Sequence, residues 1–259
     1  MLGFRLFWHA VRMVFTNLVP MVQIFALPLL VVMAVVMAFS TYSGVGPFFF
    51  LGGQNVRFDN MSGGFLVVFF CTLLVIWIAL MNGVVHWHRY ILLEETPRTL
   101  MLRLSWRQAA KYIVGGILIG LLLILPFWLL GMVFGKIAME LLRNGNILVA
   151  RGIMIVLSLF FTAGFLALSP ILPANAIDRN ITISAALSAM SGSLGTLIVC
   201  AIGLGAVEWT GDVLVRQLAM LNMQVAGLVG IVVQMLLAMI GVSLITTIYG
   251  HFVEERPLD

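Results

Sequence analysis

Long apolar runs alternate along this chain with short polar segments. A transmembrane helix needs about 20 mostly apolar residues. Six runs meet that requirement, at residues 18–39, 65–85, 112–134, 147–169, 193–214 and 225–249. They are too long and too uniformly apolar for the strands of a membrane barrel. The pattern therefore predicts an all-α polytopic membrane protein with six transmembrane helices.

A second pattern precedes each odd-numbered run. Three segments carry apolar residues at positions i, i+4, i+7 and i+11, which share one face of a helix. We interpret each as an amphipathic helix at the membrane interface, leading into a two-helix hairpin. The three sets are Phe4, Trp8, Val11 and Phe15; Leu102, Trp106, Ala109 and Ile113; and Ile183, Leu187, Met190 and Leu194.

The even-numbered runs end in similar polar segments. LLEETP at 92–97 and FVEERP at 252–257 share the order apolar, apolar, Glu, Glu, any residue, Pro, and LSPILPANAIDRN at 168–180 is less similar. We predict a single integral membrane domain, 1–259, containing three repeats at 1–97, 98–180 and 181–259. Chance similarity among apolar sequences of low diversity is the alternative.

Composition supports a lipid environment. The 259 residues are 62% hydrophobic and only 9% charged, whereas a soluble domain carries about 25% charged residues. The first apolar run is longer than the core of a secretory signal, about 7–15 residues, so we expect it to be retained as a transmembrane helix.

Basic residues predict the orientation, because cytoplasmic loops carry an excess of Lys and Arg. With both termini in the cytoplasm, nine of the 14 Lys and Arg residues fall inside and five outside. The inside set is Arg5, Arg12, Arg89, Arg98, Arg103, Arg107, Lys111, Arg179 and Arg256, and the outside set is Arg57, Lys136, Arg143, Arg151 and Arg216. We predict a multi-pass membrane protein with cytoplasmic termini.

Part of the inside set forms a basic stripe that we expect to bind the anionic headgroups of membrane lipids. Tryptophans near the ends of the runs indicate an aromatic belt. The basic stripe is Arg5, Arg12, Arg89, Arg103, Arg107 and Lys111, and the belt is Trp8, Trp87, Trp106 and Trp209.

The segment HWHR at 86–89 suggests a metal site, but the geometry argues against it. His86 and His88 lie about 200° apart on a helix, whereas helical metal pairs use i,i+3 or i,i+4 spacing. His9 and His251 share their predicted side of the membrane and remain possible additional ligands. A membrane boundary with Trp87 and Arg89 at headgroup depth is the favoured interpretation.

Two acidic groups are candidates for chemistry. Glu94 and Glu95 diverge by about 100° on a helix, so we expect capping or ion pairing with Arg98 or residues 103–111 rather than catalysis. Glu208, Asp212 and Arg216 share one helical face. If the fifth span reaches 214, Glu208 is an intramembrane carboxylate, which indicates function. If it ends near Val207, the three residues form a solvated helix end.

Smaller signals concern packing. Pairs of small residues four apart permit close approach of helices, and Pro28 and Pro126 are candidate helix breaks. Cys71 and Cys200 lie in apolar runs, which favours free thiols over a disulfide. The pairs of small residues are Gly116 with Gly120, Gly131 with Gly135, and Ala201 with Gly205.

The interfacial helices, the 168–192 segment LSPILPANAIDRNITISAALSAMSG and YGHFVEERPL at 249–258 resemble two groups of bacterial inner-membrane proteins. These are the YciC-like proteins and the membrane domain found beside some glycerophosphodiester phosphodiesterases. The resemblance implies six helices and no established activity. Phosphodiesterase chemistry belongs to a separate soluble domain with no counterpart in these residues, so no catalytic residue carries over.

The sequence contains no nucleotide-binding loop, nucleophile elbow, zinc-protease motif or C-x-x-C pair. We expect a non-enzyme without cofactor, nucleic-acid partner or metal, in an accessory role that binds lipids or organises other membrane proteins. The alternative is a small transporter or permease that uses Glu208 and Asp212. An intramembrane enzyme would require His or carboxylate side chains converging on one point.

Overall fold

The computed structural model of the protein describes residues 1–46, 63–96 and 106–258. Throughout these ranges the ordered elements are α-helices and no strand occurs, which confirms the predicted all-α fold. In chain order the helices are α1 (Leu2–Thr16), α2 (Leu18–Ser43), α3 (Gly63–Leu93), α4 (Trp106–Arg143), α5 (Ile147–Leu168), α6 (Ile171–Ala176), α7 (Ile183–Ala189), α8 (Leu194–Leu221) and α9 (Met223–Phe252).

Six segments in the described ranges are long and apolar enough to cross a membrane. They are α2, α3, α4, the continuous stretch Ile147–Ala176, α8 and most of α9, and each contains one predicted run. Several continue beyond the predicted bounds. The 38 residues of α4 extend about 57 Å, against about 30 Å for the hydrocarbon core of a bilayer. The chain is thus a multi-pass membrane protein.

Apolar side chains cover the outside of these helices. In the most apolar stretch of each, the buried share ranges from 6% in α3 to 39% in Ile147–Ala176. Exposed apolar surface on this scale is unfavourable in water and suits contact with lipid chains.

The chain separates into two compact units. One contains Met1–Thr16 with Ala110–Asp259, and the other contains Asn17–Ala109. The three predicted repeats stay a prediction, since this division follows internal contacts and not sequence similarity.

In the first unit, α1 packs against α8 and α9, and α5 packs against α8. The buried core draws on all four helices and on the end of α7. Its members are Leu6, Ala10, Ala163, Leu166, Met190, Leu197, Cys200, Leu244, Ile245 and Ile248.

The α1 helix buries a face different from the predicted stripe. Gly3, Leu6, Ala10 and Val14 are buried, whereas the side chains of Phe4, Trp8 and Phe15 are exposed. Small residues on the buried face allow α1 to lie close to α8, and a methyl group at Gly3 would come within 2.6 Å of the Thr196 carbonyl oxygen. The predicted stripe is therefore the outer face of a docked helix.

In the second unit, α2 and α3 form an antiparallel hairpin held by aromatic contacts. The rings of Phe39 and Phe65 meet edge to face with centroids 5.5 Å apart. Farther from the hairpin turn, Gly83 allows α3 to lie close to α2, because a methyl group at this position would lie 2.7 Å from the Phe25 ring. The Tyr90 hydroxyl donates to the Asn17 side-chain oxygen at 2.7 Å.

One expectation about packing, the helix breaks, is wrong, and a second, close approach at the pairs of small residues, fails at four of six positions, since Ala201 is buried and Gly116 lies near Leu172. Pro28 and Pro126 lie within the continuous helices α2 and α4 and do not break them. Among the predicted small-residue pairs, Gly120, Gly131, Gly135 and Gly205 have no atom within 4 Å of an added methyl group in the described part of the chain. The expectation for cysteine is confirmed: Cys71 and Cys200 are both free, and the Cys200 thiol lies 3.4 Å from the Gly3 carbonyl oxygen.

Candidate functional site

Each even-numbered span is followed by an acidic residue in the left-handed conformation. Among the described residues, the non-glycine positions with positive φ are Glu94 (54°), Asp178 (61°) and Glu255 (55°). They follow α3, α6 and α9 respectively. Left-handed backbone is uncommon outside glycine and usually ends a helix. We call the segments that directly follow α3, α6 and α9 the three exits. They share a left-handed residue that their amino-acid sequences did not reveal.

The exits differ in detail. At Asp178, the N–H of Arg179 donates to the Ala174 carbonyl and that of Asp178 to the Asn175 carbonyl, which is the Schellman pattern. At the last exit, the Arg256 N–H donates to Gly250, a wider turn. The left-handed residue is the first glutamate of LLEETP and the second of FVEERP, so the two motifs do not superpose residue for residue.

An ion pair accompanies each exit. Arg89 donates to both carboxylate oxygens of Glu95, with Nε 3.0 Å from Oε2. Lys111 Nζ lies 2.8 Å from Asp178 Oδ1. The pairing expected for Glu94 and Glu95 thus occurs at Glu95, with Arg89; the expected partner Arg98 lies outside the described residues.

The last exit brings together two arginines and one carboxylate. Arg179 Nη1 donates to Glu254 Oε1 at 2.6 Å, and Arg256 Nη2 lies 2.7 Å from Oε2, although Oε2 accepts no hydrogen bond of good angle. The Glu254 side chain is only 8% exposed, whereas Arg179 and Arg256 are 61% and 43% exposed. The predicted basic stripe omitted both arginines. For Arg256 the signal available was its place directly after the Glu-Glu motif, whereas Arg179 is 75 residues away in sequence and no spacing pointed to it.

The structure divides the predicted basic stripe. Arg89 and Lys111 are half-buried and paired with acids. Arg5, Arg12 and Arg107 are exposed, and Arg5 also donates to the Leu258 carbonyl at 3.2 Å. Arg103 lies outside the described residues. Arg5 and Arg12 occupy the same docked helix, α1, with its exposed aromatic side chains.

Trp87 does not belong to an exposed aromatic belt. Its side chain is fully buried and its ring lies 5.8 Å from that of Tyr90. Headgroup contact is therefore wrong for Trp87, whereas Trp8, Trp106 and Trp209 are exposed.

The histidines of HWHR have separate environments. His88 is fully buried, and His86 Nδ1 lies 2.8 Å from the carbonyl oxygen of Asn82, one turn earlier in the same helix. Within the described ranges, no three His, Cys, Asp or Glu side chains are placed to hold a metal ion.

The acidic trio lies on one continuous helix. The α8 helix extends to Leu221, so Glu208 is near the middle of the helix. Both alternatives for the membrane end of the fifth span place the trio on a helix, so its location within the membrane stays a prediction. Asp212 and Arg216 form an exposed ion pair at 3.4 Å. Glu208 instead lines a groove between α8 and α9 of about 380 Å³, together with Gln234. Asp212 and Arg216 do not line this groove, although they share one helical face with Glu208.

The walls of this groove are apolar apart from those two side chains. Leu204 and Val207 come from α8, and the α9 wall consists of Leu237, Ala238, Ile240 and Gly241. No hydrogen bond or ion pair joins Glu208 or Gln234 to another residue in the part of the chain that the structure describes. Glu208 is therefore an exposed carboxylate bordered by apolar side chains of α8 and α9.

No protein-family model matches this chain, and no curated protein or solved structure matches it significantly.

Proposed function

We propose that this multi-pass membrane protein has an accessory role in a bacterial inner membrane, where it binds anionic lipids and helps to organise membrane components. The observation that carries the proposal is α1. It docks into the first unit by Leu6, Ala10 and Val14 and leaves aromatic side chains exposed beside Arg5 and Arg12. Aromatic and cationic side chains together are typical of helices at the lipid headgroup level.

The predicted orientation supports anionic lipids as the ligand. With cytoplasmic termini, Arg5, Arg12 and Arg107 face the leaflet whose surface potential is negative, where each cation contributes about 1 kcal/mol to binding. Arg179 and Arg256 share the carboxylate of Glu254. The adjacent Glu255 balances the second positive charge, so the last exit adds no net charge and the exposed cations of α1 and α4 carry the proposal. The resemblance to YciC-like inner-membrane proteins agrees with this location and adds no activity.

Native mass spectrometry of the protein released from a gentle detergent tests this proposal. Wild type should retain phosphatidylglycerol or cardiolipin, and the triple variant Arg5→Gln, Arg12→Gln, Arg107→Gln should retain at least about tenfold less. The matched control removes three exposed cations at the other predicted side, Lys136, Arg143 and Arg151. Equal lipid retention in the two triple variants, or none in wild type, contradicts the proposal.

A small permease is the second candidate function, and the Glu208 groove is the observation that favours it. An ionisable side chain within a transmembrane segment commonly marks a substrate or ion pathway. Proteoliposomes on a solid-supported membrane should then show charge movement when small organic cations are applied, and Glu208→Gln should abolish it. Identical currents from wild type and Glu208→Gln would exclude this function.

A further inference from the structure

The groove between α8 and α9 has the chemistry of a binding site for one positive charge attached to hydrocarbon. Glu208 supplies a carboxylate and Gln234 an amide, and the other lining residues are apolar. Sites for small molecules are usually apolar clefts of about 300–1,000 Å³ with a few polar groups that orient the ligand. The volume of about 380 Å³ falls within that range.

Both polar groups lack a partner within the described residues. This distinguishes Glu208 from its neighbour Asp212, whose charge is paired with Arg216. A carboxylate among apolar residues is unfavourable unless a proton or a cation compensates it. Glu208 and Gln234 are both exposed, so the groove offers a carboxylate and an amide without partners among the described residues, on the outer surface of the α8–α9 pair.

The number of oxygen ligands argues against a metal ion. Ca²⁺ takes about 6–8 oxygen ligands and Mg²⁺ needs near-octahedral coordination, whereas the groove has two polar side chains. A primary ammonium has three N–H donors and no acceptor. Its donors match the carboxylate of Glu208 and the amide oxygen of Gln234.

With the fifth span at its predicted bounds, 193–214, Glu208 lies within the hydrocarbon core, which favours a free amine over a phospholipid headgroup as the ligand. Glu208 is 14 residues from the start of α8 and 13 residues from its end, about 21 Å and 20 Å along the helix axis. Headgroups lie outside a hydrocarbon core about 30 Å thick. A free amphipathic amine has no phosphate, so its hydrocarbon can occupy the groove while its ammonium reaches Glu208.

We propose that the α8–α9 groove binds a hydrophobic primary alkylammonium cation through Glu208 and Gln234. This inference deepens the permease function and rests on the same groove, but binding does not require transport. Leu204, Leu237 and Ile240 contact the hydrocarbon, Glu208 pairs with the ammonium, and the Gln234 carbonyl oxygen accepts a second hydrogen bond.

The test is equilibrium binding of n-decylammonium to the full chain in lipid nanodiscs of phosphatidylcholine and phosphatidylglycerol. Isothermal titration calorimetry is corrected for partitioning into nanodiscs without protein. Wild type should bind one decylammonium per chain, Glu208→Gln should bind at least tenfold more weakly, and Asp212→Asn should equal wild type. 1-Decanol has the same chain length without the charge, so its binding should not distinguish the variants.

Several outcomes overturn the inference. These are absence of binding by wild type, equal affinity in wild type and Glu208→Gln, or an equal loss in Asp212→Asn. Competition by phosphatidylethanolamine in the nanodiscs would identify a lipid headgroup as the ligand and overturn the choice of a free amine. Size-exclusion chromatography verifies folding, and Gly241→Leu, which fills the groove without altering charge, should also weaken binding.

The binding and transport results separate the two claims. Glu208-dependent binding without charge movement supports the inference and excludes the permease function. Charge movement that depends on Glu208 without saturable decylammonium binding supports the permease and overturns this ligand class.

Discussion

At the residue scale, the acidic side chains differ in what compensates their charge. Glu95, Asp178 and Glu254 contact cations at the ends of helices, where the pairs neutralise charge near the predicted membrane surface. Glu208 lies in the middle of α8 with apolar neighbours. The first three pair with cations at helix exits, whereas Glu208 is the acidic residue that we propose for binding.

Glu254→Gln tests the charge pairing at the last exit. The carboxylate is 8% exposed and contacts two guanidinium groups, so its loss should lower the free energy of unfolding by about 1–3 kcal/mol. Exposure of both arginines puts the expected value near the lower end because solvent screens the pairs. Chemical unfolding in detergent measures the change.

The adjacent Glu255→Gln is the control for that experiment. Glu255 is exposed and forms no ion pair among the described residues. Its replacement should change the free energy of unfolding by less than about 0.5 kcal/mol, as expected for a surface substitution. Equal effects of the two substitutions would show that the pairing of Glu254 contributes nothing specific.

Asn175→Ala tests the hydrogen bond that joins α6, before the exit at Asp178, to α4. The Asn175 amide donates to the Lys111 carbonyl at 3.0 Å and lies against Gly115. Loss of this hydrogen bond should destabilise the protein by about 0.5–1.5 kcal/mol. Asn180→Ala, at an exposed position of the same segment, should have little effect. Thermal unfolding in detergent measures both variants. Equal shifts of the unfolding temperature in Asn175→Ala and Asn180→Ala would show that the Asn175 hydrogen bond contributes nothing specific.

The left-handed residues at the exits show which features of the backbone the amino-acid sequence alone did not predict. The Glu-Glu-x-Pro motif predicted a helix stop, and left-handed residues follow α3 and α9. Which glutamate takes the left-handed conformation depends on the contacts of the last turn, and those differ between the exits. Arg89 and Arg179 become partners through the fold, so spacing could not identify them.

At the element scale, α1 shows why an apolar stripe does not identify the buried face. Phe4, Trp8 and Phe15 form the more obvious stripe, yet they are exposed. The buried face includes Gly3 and Ala10, whose small size permits close packing against neighbouring helices. In a lipid environment large apolar residues are also stable on the outside, so an apolar stripe does not single out the packed face, which here combines the small Gly3 and Ala10 with Leu6.

Gly3→Ala tests that packing. The new methyl group would lie 2.6 Å from a backbone carbonyl and 2.8 Å from Val199, and overpacking costs about 1–3 kcal/mol. This exceeds the gain of up to about 1 kcal/mol from replacing glycine in a helix. We therefore expect a lower thermal unfolding temperature.

Gly205→Ala provides the matched control, because no described atom lies within 4 Å of the added methyl group. The control should be neutral or stabilising. A destabilised control, or an unchanged Gly3→Ala variant, would contradict the proposed docking of α1.

The α8 helix shows the limit of reading span ends from polarity. Glu208, Asp212 and Arg216 are the residues expected at a membrane boundary, and the sequence left two alternatives for the end of the span. The helix continues to Leu221 because α9 pairs along it, with Gly211 close to Val233. The six long apolar helices followed from hydrophobic length, whereas the residues at which the helices end depended on partner helices.

At the scale of the whole molecule, the proposed lipid binding depends on the orientation of the chain in the membrane. The exits after α3, α6 and α9 carry the ion-paired charges, and the excess of basic residues predicts that they face the cytoplasm. Binding of anionic lipids by Arg5 and Arg12 requires the same orientation, because the negative surface potential belongs to the cytoplasmic leaflet.

Cysteine accessibility in intact spheroplasts tests this orientation most directly. Cys71 and Cys200 are first replaced by Ser and Ala, respectively. A single cysteine is then placed either at Asn180, in the exit that follows α6, or at Asn144, in the turn between α4 and α5. Both asparagines are exposed. A membrane-impermeant maleimide should label Asn144→Cys in intact spheroplasts and Asn180→Cys only after lysis. Labelling of Asn180→Cys in intact spheroplasts, with Asn144→Cys protected, would contradict the account.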